Sequence, residues 1–514
     1  MQAVTSAWKA NQEETFVSES YVELTFKMND PTAQYDGTVT VNGEESFSDA
    51  SEILTETDKS PVKYATLERN LWSLDGTAEI APSSAPYGKQ GYIGSAVSNG
   101  NGTYAINPKI TMTFSRVFSD TIQGVTINWG TAYGEGAESF TVTAYNGSTV
   151  VATKTVTGNK STKSVVLTPI SGYNKIEIEV LRWEFPVRRA RAQDITLGVI
   201  LVYDKSNLIT YTHTMAVDPL TGILPDNTIT FEIANLNQEY NPDNPDSLTQ
   251  YVMERQKVTA RYGYKINGNI EWIKGGTFFM SGWEFKQNGI TANFTARDAI
   301  EYMSALYTGR VNGTLAQIAT AAFTQADLPT LPDGSNMWSI DSSLESINAP
   351  PGVALPDGTT IAECLQYVAN AARCVMYQDR NGIFHIEPLP LGTTDYVIDR
   401  NNSYQNAETT LTKQTGAINV NQGLYVLTIG AGEVQDVQNP FVSAAQAPAY
   451  AVWIAAYLAK RKNLTGEFRA DPRLDALDRV SVTNQFATNN VLITSIRYNY
   501  NGAFKGEYEG RAEA

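Results

Sequence analysis

A mainly β fold with a minor helical part is what this chain predicts, on three observations. Aromatic and β-branched residues are abundant, with 27 Tyr, 18 Phe and 8 Trp beside many Val, Ile and Thr; such side chains suit a pleated, half-buried surface. The 38 Gly and 21 Pro punctuate the chain at short intervals, as turns between strands require. Short strand-like runs recur between about residues 100 and 200 with no helical period among them. That spacing argues for a sandwich and against a parallel α/β sheet.

In chain order, Tyr21–Phe26 alternates residue by residue and reads as a half-buried strand,. Thr38–Val41 follows, ending in the hairpin-type pair Asn42-Gly43,. The sandwich strands are expected at Ile110–Phe114, Gly124–Trp129, Ser139–Tyr145, Ser164–Leu167 and Lys175–Val180. Asn227–Ile233 alternates cleanly, and Asn241–Asp246 is a turn, because each Pro removes a donor and restricts its predecessor,. Lys257–Tyr262, Gly276–Met280 and Gly289–Phe294 read as three antiparallel strands.

Helices are expected after Arg297. Asp298 is placed to cap Asp298–Leu306, and two capping boxes, Thr314/Gln317 and Thr360/Glu363, precede apolar residues at helical spacing,. Cys374–Tyr377 and Ile383–Ile386 flank Asp379-Arg380-Asn381-Gly382 and predict a hairpin. Pro448–Lys462 reads as a helix with Lys460, Arg461 and Lys462 at its C-terminal end, where cations suit the dipole,. Two closing strands are expected, Asn490–Thr494 and Ile496–Tyr500.

The 514 residues suffice for three or four domains,. With 42% hydrophobic and 18% charged residues the chain has the balance of a folded protein,. Its net charge of −16 argues against a general nucleic-acid binder,. Residues 56–202 hold 14 basic and 12 acidic residues, and the remainder 24 against 42. The flanking chain therefore carries all of the excess negative charge, which keeps it soluble and would let a duplex slide past rather than bind. No secretory leader is read at Met1–Asn11,. The most apolar run, Ala451–Ala459, is far short of the ~20 residues of a membrane helix,, so no membrane anchor is expected.

No phosphate-binding loop, GxSxG, HExxH, CxxC or EF-hand pattern occurs,. Catalytic, cofactor and metal residues are accordingly expected to be absent. Cys364 and Cys374, ten residues apart, would lie ~15 Å apart on one helix, too far to bond; buried packing is the expectation. His213 and His385 sit on strand-like stretches and are read as structural or surface residues. Asp471–Asp478 is the densest acidic patch near an ordered strand; its Asp-Pro content reads as a turn into Val480–Val482, against the alternative of a glycosidase carboxylate pair,. Asp243 and Asp246 are read as turn residues, with a bound cation as the alternative. In the sandwich, Trp72, Tyr92, Trp129, Tyr133 and Trp183 with Arg188, Arg189 and Arg191 form a candidate carbohydrate site, an aromatic platform flanked by donors,. The competing reading packs the aromatics in the core and pairs the arginines with Glu177, Glu179 and Glu184.

Leu67–Gly76 and Arg188–Gly198 resemble the discoidin-like (galactose-binding-like) jelly-roll modules inserted in phage tail proteins. Around them, Leu224–Ile233, Tyr240–Pro245, Gly275–Phe278, Thr295–Ala299, Asp379–Ile383 and the run from Asp471 to Val482 resemble the hub family of phage tail tips and baseplates, including the N-terminal part of tail-associated lysins. The resemblance implies tube-type antiparallel β-barrel domains interrupted by a jelly-roll sandwich. Residues 1–55 and 203–300 would form a first, discontinuous barrel and 56–202 the insert. Residues 301–395 would form a helical and hairpin segment, and 396–514 a second barrel. It further implies a homo-oligomeric ring, a trimer, in the virion tail tip. That ring would contact tail tube and tip or fibre proteins, pass genome DNA without specific binding, and display the insert to a host cell-wall glycan. The alternatives are a host-surface carbohydrate-binding adhesin and a carboxylate-based cell-wall hydrolase.

Overall fold

The computed structural model describes residues 1–14, 16–43, 48–54, 64–65, 80–81, 91–130, 134–219, 224–244, 247–287, 289–331, 335–389 and 396–513. The chain is mainly β, with several antiparallel sheets and few short helices.

The largest sheet has thirteen strands drawn from both ends and the middle of the chain. Ser20–Asn29 lies between Gly198–Tyr203 and Lys257–Ile266. The order then runs through Asn269–Phe285, Thr291–Arg297, Asp226–Ala234 and Leu208–Ala216, on to Thr488–Tyr500, Phe504–Ala512, Lys462–Phe468 and Glu408–Leu411. Ser20–Asn29 alternates buried and half-buried residues, as its sequence predicts, putting Val22, Leu24, Phe26 and Met28 in the core. C-terminal residues share that core, among them Phe468, Ile493, Tyr498 and Phe504. Residues 462–512 thus continue the first sheet, where a separate second barrel was expected.

Closed barrels were also expected, but among the described residues the sheet's two end strands, Gly198–Tyr203 and Glu408–Leu411, do not pair. The reason at one end is the insert. The Thr126 hydroxyl donates to the Gly198 carbonyl at 2.9 Å and accepts from the Ile200 N–H at 3.3 Å, meeting edge groups that a closing strand would use. Gly198 (φ +152°) fits this junction because a Cβ there would lie 2.2 Å from the Met28 carbonyl oxygen,.

The insert is a sandwich. Its five-stranded sheet runs Thr38–Val41, Lys109–Phe118, Tyr173–Trp183, Ala137–Asn146 and Thr149–Val156. Facing it are Lys163–Ile170, Ile122–Asn128 and Asp194–Thr196, with the pair Tyr92–Val97 and Arg189–Ala192 beside them. Thr38–Val41, placed by the sequence in the first unit, pairs instead with Lys109–Phe118, and Ala33, Ala50, Ile53 and Leu54 pack in the sandwich core.

A third core gathers the helices. Leu315–Ala326 and Ile361–Ala371 both begin with the expected capping boxes, and they pack with Cys374, Phe384, Ile418, Phe441 and Ile454. Around Asp298 only a 3-10 turn, Ala299–Met303, forms, with the Asp298 side chain accepting from the Ile300 N–H. The late helix spans Ala447–Leu458, shorter than expected; Lys462 already pairs with Leu411 and Ala512 in the large sheet. The two expected closing strands are one strand, Thr488–Tyr500, whose register against Phe504–Ala512 shifts between Ile493 and Ser495, a bulge-like irregularity.

Candidate functional site

Among the described residues, the expected carbohydrate residues do not converge on a surface. Trp72 and Tyr133 lie outside the described residues. Tyr92, Trp129 and Trp183 are core residues, with Trp129 and Trp183 edge to face at 5.9 Å and the Trp129 indole donating to Ser164 Oγ at 2.8 Å. Arg188 and Arg191 are 3% exposed and converge on Glu135, at 3.2 and 2.6 Å. Arg189 donates to the Gly94 and Ser95 carbonyls. The expected acidic partners are taken elsewhere, Glu177 by Lys109 and Lys175 and Glu179 by Lys109. Strand alternation explains the outcome, since it turns the large rings inward and leaves Thr and Lys facing water,.

The most elaborate polar site lies between the large sheet and the helical core, around a cavity of about 270 Å³. Two long-range turns build it. Asp379-Arg380-Asn381-Gly382 is a tight turn in which the Asp379 carboxylate accepts from the Asn381 and Ile383 N–H groups, and it aims Arg380 inward. The Arg380 guanidinium meets Asp475 Oδ1 at 2.6 Å and donates to the Lys274 and Leu474 carbonyls at 3.0 and 2.9 Å. The Asp471–Asp478 turn supplies the other side. Asp471 is fully buried and ion-pairs with Arg473, while the Tyr498 hydroxyl donates to the Asp471 and Leu474 carbonyls. The Met1 amine reaches Asp478 Oδ1 at 2.7 Å.

A buried hydrogen-bonded chain leads from this cavity into the core. His213 Nε2 lies 2.8 Å from Asn227 Oδ1 and Nδ1 lies 2.7 Å from the Tyr262 hydroxyl, which is 2.6 Å from that of Tyr211. Burial lowers the imidazole to about 4, so it is neutral near pH 7, with one nitrogen donating and the other accepting. Asp298 also lines the cavity; burial pushes its carboxyl up to about 7, and its Oδ2 makes no hydrogen bond among the described residues. His385 stacks on Tyr377 and lies 3.5 Å from Asp379.

The chemistry of this constellation is ion pairing and hydrogen bonding between distant segments, and the hydroxyl beside His213 is the fully buried phenol of Tyr262 rather than a serine or threonine. Cys364 and Cys374 are buried, form no disulfide and are pushed up to about 12 by burial, far from thiolate reactivity. Among the described residues no group of three or more His, Cys, Asp and Glu side chains is arranged to hold a metal ion, and no helix is long and apolar enough to cross a membrane. The sequence marked both turns but not their meeting, because nothing local to Arg380 names a carboxylate 95 residues away.

Two features of the C-terminal strands face outward. Glu408, Glu467, Glu507 and Glu509 surround a cleft of about 480 Å³ on the C-terminal strands, with Arg497 the one cation among the described residues that line it. Nearby, Glu408–Leu411 exposes all four residues at the end of the large sheet, and Leu411, Val426, Ile429, Val434 and Val452 are exposed apolar side chains.

The chain is similar to phage tail proteins. It resembles the tail protein from Neisseria meningitidis at 12% identity over 61% of this chain and 93% of that one, with a TM-score of 0.43. The prophage MuSo2 tail protein from Shewanella oneidensis gives 13% identity, 60% and 94% coverage and a TM-score of 0.41. For the prophage tail protein gp18 from Listeria monocytogenes the values are 10%, 61%, 91% and 0.39. No protein-family model and no curated protein matches the chain.

Proposed function

We propose that this chain is a structural component of a phage tail tip or baseplate hub. In this reading several copies, three by the family resemblance, form a ring that continues the tail tube, passes DNA and anchors tip proteins. One observation carries it: the open sheet end Glu408–Leu411 lies in the same C-terminal region as exposed apolar residues Val426, Ile429 and Val434. An uncovered strand edge and unburied aliphatic side chains are liabilities in a monomer and are what a subunit interface covers. The acidic cleft around Glu467, Glu507 and Glu509 supports a bore-lining role, since carboxylates repel the phosphates of a passing duplex,.

Native mass spectrometry of the full chain tests the interface. A closed oligomer that reverts to monomer on Val426→Lys with Val434→Lys is expected. A wild-type chain that stays monomeric at tens of micromolar, alone and with tail-tube protein, would count against it.

A further inference from the structure

On this strongly acidic chain a recess at one end of the large sheet is strongly basic. Lys460, Lys462, Arg479 and Arg511 line a recess of about 330 Å³, with Glu513 the one carboxylate among the described residues that line it. Sheet register assembles it: Arg479 pairs with Leu492, Leu492 with Arg511, and Lys462 with Ala512, so three of four neighbouring strands bring a cation to one end of the sheet. Lys460 arrives from the turn after Ala447–Leu458, and the Arg511 guanidinium lies 5.0 Å from the Tyr457 ring.

None of the four is a freely solvated surface cation. Each is only partly exposed. Lys460 reaches Glu513 at 3.4 Å, but that carboxylate is 85% exposed. Lys462 donates to the neutral Asn489 Oδ1 at 3.4 Å. Arg479 Nε is buried with no acceptor, and neither Arg479 nor Arg511 has a carboxylate within ion-pair distance among the described residues. Four like charges held together out of full solvent repel one another, and a buried N–H without an acceptor is costly. An oxyanion would relieve both at once, since guanidinium groups match tetrahedral oxyanions in forked geometry.

We propose that this recess is an oxyanion site that takes a phosphate group, as the free ion or as the diester of a polymer. The inference stands independently of the tail reading. The test is titration of the full chain with inorganic phosphate against sodium chloride at equal ionic strength, following thermal unfolding and ³¹P line broadening. Phosphate is expected to raise the unfolding temperature saturably, and Arg479→Gln with Arg511→Gln to weaken its affinity about tenfold or more, as expected for losing a charge-assisted hydrogen bond. A rise that is the same in the variant, or one that never saturates, would be the general effect of an excluded salt and would overturn the site. Should the variant fail to fold, the wild-type ³¹P signal decides: broadening at stoichiometric phosphate supports the site, and a sharp line overturns it. Competition then separates the sources. Displacement by a short DNA duplex points to a polymer diester and would also count against an unhindered DNA passage, whereas displacement by sulfate alone points to a free ion.

Discussion

Two buried arginine networks in this molecule use the same chemistry to different ends. In the insert, Arg188 and Arg191 close on Glu135 inside a single sandwich. In the larger unit, Arg380 leaves a hairpin of the helical core to hold Asp475 and the carbonyls of Lys274 and Leu474, tying that core to the large sheet and to the Asp471–Asp478 turn. The first fixes a module from within; the second fastens modules to one another. Removing one partner from a buried pair strands the other charge, so each network is fragile to single substitution, but the damage should spread differently.

The largest effect is expected for Arg380→Ala. It should destabilise the chain by about 3–5 kcal/mol and loosen both the large sheet and the helical core. Hydrogen exchange would show this as joint loss of protection in Leu208–Ala216 and Cys374–Gln378, with the insert spared. Glu135→Gln keeps one accepting oxygen for the arginines and should cost about 3 kcal/mol, the low end of that range, and confine its loss of protection to the sandwich. Spread into Ser20–Asn29 would erase the contrast.

His213 titrates at about 4 in the fold against 6.5 unfolded, so the stability it contributes is present above about 6.5 and is lost as pH falls towards 4,. Asp298 works in the opposite sense: at about 7 in the fold against 3.8 unfolded, its contribution is complete below 3.8 and is lost as pH rises through 7,. Asp298→Asn keeps an oxygen to cap Ile300 and removes that loss. Its unfolding temperature relative to the parent should therefore rise between pH 4 and pH 8; a constant difference would contradict the burial argument. The smallest effect is on Cys364 and Cys374, which should react with a thiol reagent in the native chain no faster than it unfolds.

Local structure was legible in the sequence wherever one segment contains its own reason. The capping boxes at Thr314 and Thr360, the turn at Asn381-Gly382 and the alternation of Asn227–Ile233 all reappear. Long-range pairing was not legible. Alternation shows that Tyr498 and Tyr500 face a core but not that their strand pairs with Leu208–Ala216, because register between distant strands is set by the whole buried face. The same limit hid the open sheet, the move of Thr38–Val41 into the sandwich, and the choice of Glu135 by the arginines. Ser495 shows a finer limit: a polar residue between two apolar runs reads as a break, whereas a shift in register lets one strand continue through it.

The structural role itself is tested most directly by cryo-electron microscopy of assembled virions. The expected result is this chain as a ring at the distal tail end, with Glu467, Glu507 and Glu509 facing the bore. Its absence from the particle, or a bore faced by Lys462, Arg479 and Arg511 instead, would contradict that role.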